Sequence, residues 1–241
     1  MEKVSGDPKL AVHLEEILAT IRHQLGNAVN ALKITLDVMQ ENFDHFDESK
    51  RKEYLRRASE LLGRQQGMIE AMKSYSSVNA SDQTVVDFCS FWDRFLTKAI
   101  RRSEEEKVML RHDLKLERSL IRVSPVALNV AMEHLFDNAI EALDLTENPE
   151  IGLRVSQHEE EILVTIQDNG CGIRKGDLPF VFMPLFTTKP GRRGMGLTIA
   201  LKLLSKMRGR IEITSLLETG TQVDVWLKMT KGEGDEQTVQ V

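Results

Sequence analysis

From Leu14 to Met39 the apolar residues return at alternating steps of four and three: Leu14, Leu18, Ile21, Leu25, Ala28, Leu32 and Met39, with Thr35 in the one gap. A seven-residue repeat of this kind is the seam of a helix that packs lengthwise on other helices. It predicts a helix over about residues 8–42. Asn42-Phe43-Asp44-His45-Phe46-Asp47 breaks the period and predicts a turn, with Asp47 or Ser49 as the cap of the next helix. That second helix is predicted over about 48–76, with Tyr54, Ala58, Leu61, Leu62, Met68, Ile69, Met72 and Tyr75 as its apolar positions. Two long amphipathic helices joined by a short loop form an antiparallel hairpin. One hairpin cannot cover both of its seams, whereas two copies can, as a four-helix bundle. A homodimer is therefore expected.

The pattern changes at residues 77–83, SVNASDQ, which are polar and without period and read as a hinge. Beyond it short strands and helices mix. Thr84–Val86 and Lys107–Leu116 read as strands, and Phe88–Arg102 as a helix. Pro125–Leu143 reads as a strong helix, capped by Ser124 with Pro125 at its first position. Ile151–Ser156 and Ile162–Gln167 form one hairpin, Gly196–Met207 a helix, and Arg210–Ser215 with Thr221–Leu227 a second hairpin. A mixed sheet with helices grouped beside it is an α+β domain. The expected division is 1–76 helical hairpin, 77–83 hinge, 84–230 second domain and 231–241 polar tail.

The formal net charge of −5 argues against general nucleic-acid binding. Cys89 and Cys171 stand far apart without ligand spacing, which fits a reducing, cytoplasmic setting better than a disulfide framework or a zinc site. No run of about 18 apolar residues predicts a membrane span, and MEKVSGDPKL has no apolar signal core.

Four segments of the second domain fit one job when taken in order. His134-Leu135-Phe136-Asp137-Asn138-Ala139 carries an amide oxygen, on Asn138, suited to Mg²⁺. Asp168-Asn169-Gly170-Cys171-Gly172 ends a strand. A carboxylate there can accept from an adenine amino group, and Gly170 and Gly172 let the backbone turn tightly against a flat base. In Phe182-Met183-Pro184-Leu185-Phe186-Thr187-Thr188-Lys189 aromatics can anchor a loop and Lys189 can meet phosphate. Gly191-Arg192-Arg193-Gly194-Met195-Gly196-Leu197 opens a helix, and glycines there expose N–H groups to an anion. Each is weak evidence alone; the order of all four is not.

Together they resemble the GHKL ATP-binding domain of the two-component sensor histidine kinases. HLFDNAIEAL resembles that family's asparagine box, DNGCGI its first glycine box, FMPLFTTK its phenylalanine box and GRRGMGLTIA its second glycine box, while Gly220-Thr221 is similar to its final glycine–threonine turn. The resemblance covers about residues 84–230 and implies an α/β-sandwich (Bergerat) fold that binds ATP and Mg²⁺. Its implied contacts are Asn138 to the metal, Asp168, Gly170 and Gly172 around adenine, Lys189, Gly194 and Gly196 around the phosphates, and Thr221 as a further nucleotide-binding residue. Gyrase-, mismatch-repair- and chaperone-type ATPases, and the serine kinases of the superfamily, carry a glutamate base four residues before the asparagine. Here that position is His134, and Glu133 points about 100° away round the helix.

In the first helix, His23-Gln24-Leu25-Gly26-Asn27-Ala28-Val29 resembles the family's H box. His23 lies two residues beyond the seam residue Ile21, about 200° round the helix, and so faces solvent. Asn27 lies on that same face. The resemblance makes His23 the phosphoryl acceptor, with His13 as the fallback. It places Gln24 where relatives hold the ring with Glu or Asp, and Asn27 where they orient water for phosphatase action. Arg192 stands where relatives often have a glycine. The implied activity is autophosphorylation and then transfer to an Asp of a response regulator, with input from a separate sensor protein. Two rivals stay open: a phosphotransfer scaffold with weak autokinase activity, and a GHKL ATPase or serine kinase.

Overall fold

The computed structural model describes residues 2–6, 14–77, 79–117, 119–189 and 192–230. The expected helix start before Leu14 and the tail from Lys231 lie outside them. By packing, the chain falls into two units: the helical hairpin together with residues 184–195, and a larger unit that takes in nearly all the rest.

In the hairpin, α1 spans Leu14–Glu41 and α2 spans Glu48–Ser77. Thr35 and Ala58 are buried between them, and Leu25, Ala28, Leu32 and Met39 are half-buried, so the predicted seam is the one that α1 turns to α2. Asp47 proves to be the cap: its Oδ1 accepts the Lys50 N–H at 2.8 Å. The turn is held by Arg51, whose Nε donates to the Phe43 carbonyl at 2.8 Å while its guanidinium lies over the Phe43 ring. Phe46 stacks on Tyr54.

The larger unit is built on a six-stranded sheet. In chain order the strands of this unit are β1 (Glu2–Gly6), β2 (Thr84–Asp87), β3 (Met109–Lys115), β4 (Leu120–Val123), β5 (Glu150–His158), β6 (Glu161–Asp168), β7 (Arg210–Leu216) and β8 (Gly220–Lys228). The large sheet runs β1-β7-β8-β6-β5-β3, antiparallel except for the parallel β3–β5 pair, and β2 pairs β4 apart from it. The helices are α3 (Phe88–Glu105), α4 (Pro125–Ala142) and α5 (Gly196–Lys206). Ser124 caps α4 through its hydroxyl, with Pro125 at the first position. Ile213, Val223, Ile166 and Leu153 form one row across the sheet, and Ile211, Val225, Val164 and Val155 the next; all are buried. The opposite face is polar, with Arg154 bonded to Gln167 and Thr165 to Asp224. One apolar face under helices and one wet face is the alternation expected of an α+β sheet.

Two strands differ from the sequence reading. β4 was not anticipated. Residues 2–6, assigned to the hairpin, instead form the edge strand β1, paired with β7 from Glu2↔Ser215 to Gly6↔Ile211 and tied by a Lys3–Glu212 ion pair. The expected hinge is also narrower. Over 79–83 it is fastened to the end of α5: Gln83 Nε2 donates to the Lys206 carbonyl at 2.9 Å, Lys206 Nζ donates to Asn79 Oδ1 at 2.9 Å, and Ala80 is buried. Polar residues read as a flexible linker here find fixed partners instead. Removing both side-chain clamps (Asn79→Ala with Gln83→Ala) is expected to speed proteolytic nicking of this segment by about threefold to tenfold, as loss of a net hydrogen bond allows. Limited proteolysis of the two chains side by side checks it.

A candidate nucleotide site at the end of the sheet

The cross-strand row beyond the apolar ones changes chemistry. Ser215, Thr221, Asp168 and Ile151 lie side by side on β7, β8, β6 and β5, and all four are buried. The sheet thus ends in a polar row where its core rows would continue. Asp168 Oδ1 accepts the N–H of Gly170 at 2.9 Å and that of Thr221 at 3.2 Å. Ser215 accepts the Ile173 N–H at 2.9 Å and donates to the Gly220 carbonyl at 2.9 Å. Its single proton being used, the Thr221 hydroxyl, 2.9 Å away, is the donor in their contact. Sequence reasoning missed Ser215, because a serine closing a strand carries no signal of its own.

The two glycines of the 168–172 turn are required by what they touch. A Cβ on Gly170 would overlap the Ala142 carbonyl at the end of α4, and one on Gly172, which has φ +65°, would overlap the Leu216 backbone. The Cys171 N–H also donates to the Ala142 carbonyl at 3.0 Å, so this turn seats α4 and β7 against the end of β6. The structure therefore brings Asp168, Gly170, Gly172 and Thr221 together.

Asn138 and His134 lie one turn apart on α4 and meet the start of α5. A Cβ on Gly196 would stand 3.5 Å from Asn138 Oδ1 and 3.7 Å from His134 Nδ1. An amide oxygen beside a helix N-terminus suits an oxygen-coordinated cation shared with phosphate. Among the described residues no three His, Cys, Asp or Glu side chains form a metal cluster. That donor set fits Mg²⁺, which keeps water and phosphate oxygens and needs few protein ligands. Glu133 is turned away, with its carboxylate 2.9 Å from Lys98 Nζ on α3. Burial alone would raise its pKa, but the hydrogen bonds of Lys98 and Asn129 bring it below the ordinary value.

Burial lowers the pKa of His134, and the carboxylates of Asp137, Glu133 and Glu141 only partly oppose this. The folded domain thus favours neutral His134. Its contribution to stability is present above the ordinary value of 6.5, declines below it, and is lost once the pH falls under the depressed folded value. The unfolding midpoint is expected to drop as the pH is lowered through this window. His134→Asn is expected to make that drop smaller, as thermal unfolding at a series of pH values reads.

The other predicted residues belong to the 185–194 loop and to α1. Gly194, at φ +63°, faces the Phe186 carbonyl, and its own carbonyl accepts the Leu185 N–H at 2.9 Å, closing the 185–194 loop. Lys189 is in that loop, its N–H on Thr187 Oγ1 at 3.1 Å; Pro190 and Gly191 lie outside the described residues. His23 and Asn27 are exposed on α1, with Asn27 Nδ2 3.2 Å from His23 Nδ1. Gln24 is in α1, but its side chain and His13 are outside the described residues.

Residues 123–231 match the family described as histidine kinase-, DNA gyrase B-, and HSP90-like ATPase. Among curated proteins, the chain is 26 % identical over 212 residues to the C4-dicarboxylate transport sensor protein DctB of Pseudomonas aeruginosa, covering 87 % of this chain and 35 % of that protein. It is 22 % identical over 204 residues to the signal transduction histidine-protein kinase AtoS of Escherichia coli, covering 84 % and 33 %. The chain thus spans about a third of the length of these relatives. Among solved structures, histidine kinase ThkA in complex with the response regulator TrrA aligns with a TM-score of 0.60 at 19 % identity, over 91 % of this chain and 63 % of that one. The mycobacterial sensor histidine kinase MprB aligns at 0.52 and 22 %, over 62 % and 99 %. Residues 123–231 thus carry a domain of that ATPase family, on a chain that is similar to sensor histidine kinases along most of its length.

Proposed function

We propose that the chain is a histidine protein kinase that transfers the γ-phosphoryl group of Mg-ATP to His23 and from there to an aspartate of a response regulator. The observation that carries this reading is the polar row of Ser215, Thr221 and Asp168, joined to glycine turns that admit a flat base, with His134 rather than a glutamate four residues before Asn138. Asp168 accepts from the adenine amino group, Thr221 and Ser215 stiffen the turn around it, and Asn138 offers its oxygen to Mg²⁺. Lys189 and the amides of Gly194 and Gly196 serve the phosphates. The metal, when bound, neutralises charge on the phosphate oxygens; the chain itself supplies position and electrostatic stabilisation. The position four residues before Asn138 holds His134 rather than a glutamate base for water or serine, which favours a nucleophile supplied from elsewhere, and the ring of His23 is exposed on α1. Asn27 beside it suits a second, phosphatase role on the phosphorylated partner. The alignment with a kinase solved together with its response regulator supports the choice of partner. Incubation with γ-labelled ATP tests the reading: the chain should take up acid-labile, alkali-stable phosphate. Acid-stable label favours the serine-kinase rival, and ATP binding without label the scaffold.

The hairpin surface supports a homodimer. Val29 and Leu36 on α1, with Phe43 in the turn that follows it, and Leu55, Leu62 and Ile69 on α2, each recur at a spacing of seven and are each 45–52 % exposed. These are second seams that the hairpin does not cover itself, and a second copy presents the same pair. Leu62→Glu puts a carboxylate into that seam on both copies. It is expected to weaken self-association by about a hundredfold or more, as sedimentation over a range of concentrations measures.

A further inference from the structure

His23 and Asn27 are one helical turn apart, and the Asn27 amide reaches the ring: Nδ2 lies 3.2 Å from His23 Nδ1. Positions i and i+4 share a face of any helix, so this contact needs no support from elsewhere. Its chemical consequence depends on which end of the amide meets the ring. An amide NH₂ only donates. With Nδ2 toward the ring, Nδ1 must be the acceptor and the ring proton sits on Nε2. Neither nitrogen is then a nucleophile, since one lone pair is engaged and the other position carries hydrogen. Turned end for end, the amide presents Oδ1, which accepts only from Nδ1–H. The ring proton then sits on Nδ1, and Nε2 keeps its lone pair pointing away from Asn27. The two ends of an amide have nearly the same shape, so both orientations fit the same space.

Resting on the reading of His23 as the phosphoryl acceptor, we infer that Asn27 positions the ring proton of His23, its amide orientation exchanging the imidazole between a closed and a nucleophilic tautomer. In the nucleophilic state the Nε2 lone pair forms the bond to the γ-phosphorus. The bond from that phosphorus to the β–γ bridging oxygen breaks, and its electron pair leaves with ADP. The ring becomes an N-phosphoryl imidazolium whose Nδ1–H is acidic. An amide oxygen holds that hydrogen without taking it, so the proton passes to water. Gln24, also an amide, has the same restriction. Asn27 is thus a positioning residue, and the phosphatase role proposed for it is separate from this one.

The test compares the full chain with Asn27→Asp and Asn27→Ala, each labelled with ¹⁵N in histidine. A carboxylate only accepts, so Asn27→Asp should drive the His23 shifts to the Nδ1–H form at about pH 8 without nucleotide present. Asn27→Ala should return them to those of a solvated histidine. At saturating ATP the autophosphorylation rate of Asn27→Asp should rise by about threefold to tenfold, the range of one hydrogen bond. Circular dichroism controls for the helix. Unchanged ¹⁵N shifts in Asn27→Asp overturn the inference, and so do shifts that move while the rate stays within about twofold. If wild-type His23 never takes up phosphate, the acceptor reading fails instead, and the shifts measured without ATP still decide whether Asn27 sets the tautomer.

Discussion

The His23→Ala chain is expected to bind ATP as the wild type does and to take up no acid-labile phosphate, a loss of about a thousandfold or more in labelling rate. The two halves of that result have separate origins. The polar row, Asn138 and Gly196 belong to a unit that does not include α1, and the imidazole is exposed and has no proposed contact with the nucleotide base or metal, so its removal is expected to leave ATP affinity alone. Alanine is the best helix former, so α1 is not weakened. What disappears is the group proposed first to form the N–P bond. The variant also separates the rivals. Label that persists and maps to His13 moves the acceptor one stretch upstream on the same segment. Label that persists and resists acid belongs to a hydroxyl, and the kinase is then of another kind. Calorimetry with ATP and acid–alkali partition of the label, run on the same preparation, read both halves.

Much of this architecture could be read from the sequence because side chains announce it. The seam from Leu25 to Met39 is periodic, Ser124-Pro125 is a start signal for α4, and the buried rows of β5, β6, β7 and β8 alternate cleanly. What escaped is held by the backbone or by amides. β1, Glu-Lys-Val-Ser-Gly, has one apolar residue and joins the sheet through its pairing with β7. β4 is four residues long, too short for a period, and is fixed by β2. Residues 79–83 look like a linker because Asn79 and Gln83 are polar, and only the fold reveals that Lys206 answers both. The candidate site divides in the same way. Asp168 and its glycines stand together in sequence and were legible, whereas Ser215 is 47 residues away and reaches them only through strand register.

Substitutions at Asp168 are expected to separate what it does for the nucleotide from what it does for the fold. Asp168→Asn should leave the domain standing and lower ATP affinity by about a hundredfold or more. Asp168→Ala should cost both. The side chain is buried at the end of β6, and its Oδ1 takes the amides of Gly170 and Thr221. Asparagine keeps an oxygen for those two donors. It places an NH₂ where the carboxylate had its second oxygen, so a donor meets the adenine amino donor, and a site with a mispaired buried group rejects its ligand strongly. Alanine leaves both amides without an acceptor in a buried place, at about 1–3 kcal/mol each. A loss of about 2–6 kcal/mol is a large share of the roughly 5–15 kcal/mol that holds a domain folded. The two glycine turns would then loosen together, since Gly170 abuts Ala142 and Thr221 pairs with Ser215. Calorimetry with ATP and denaturant unfolding of the three chains measure the two effects. Wild-type affinity in Asp168→Asn would falsify the adenine contact, and wild-type stability in Asp168→Ala would remove Asp168 as the anchor of the turn.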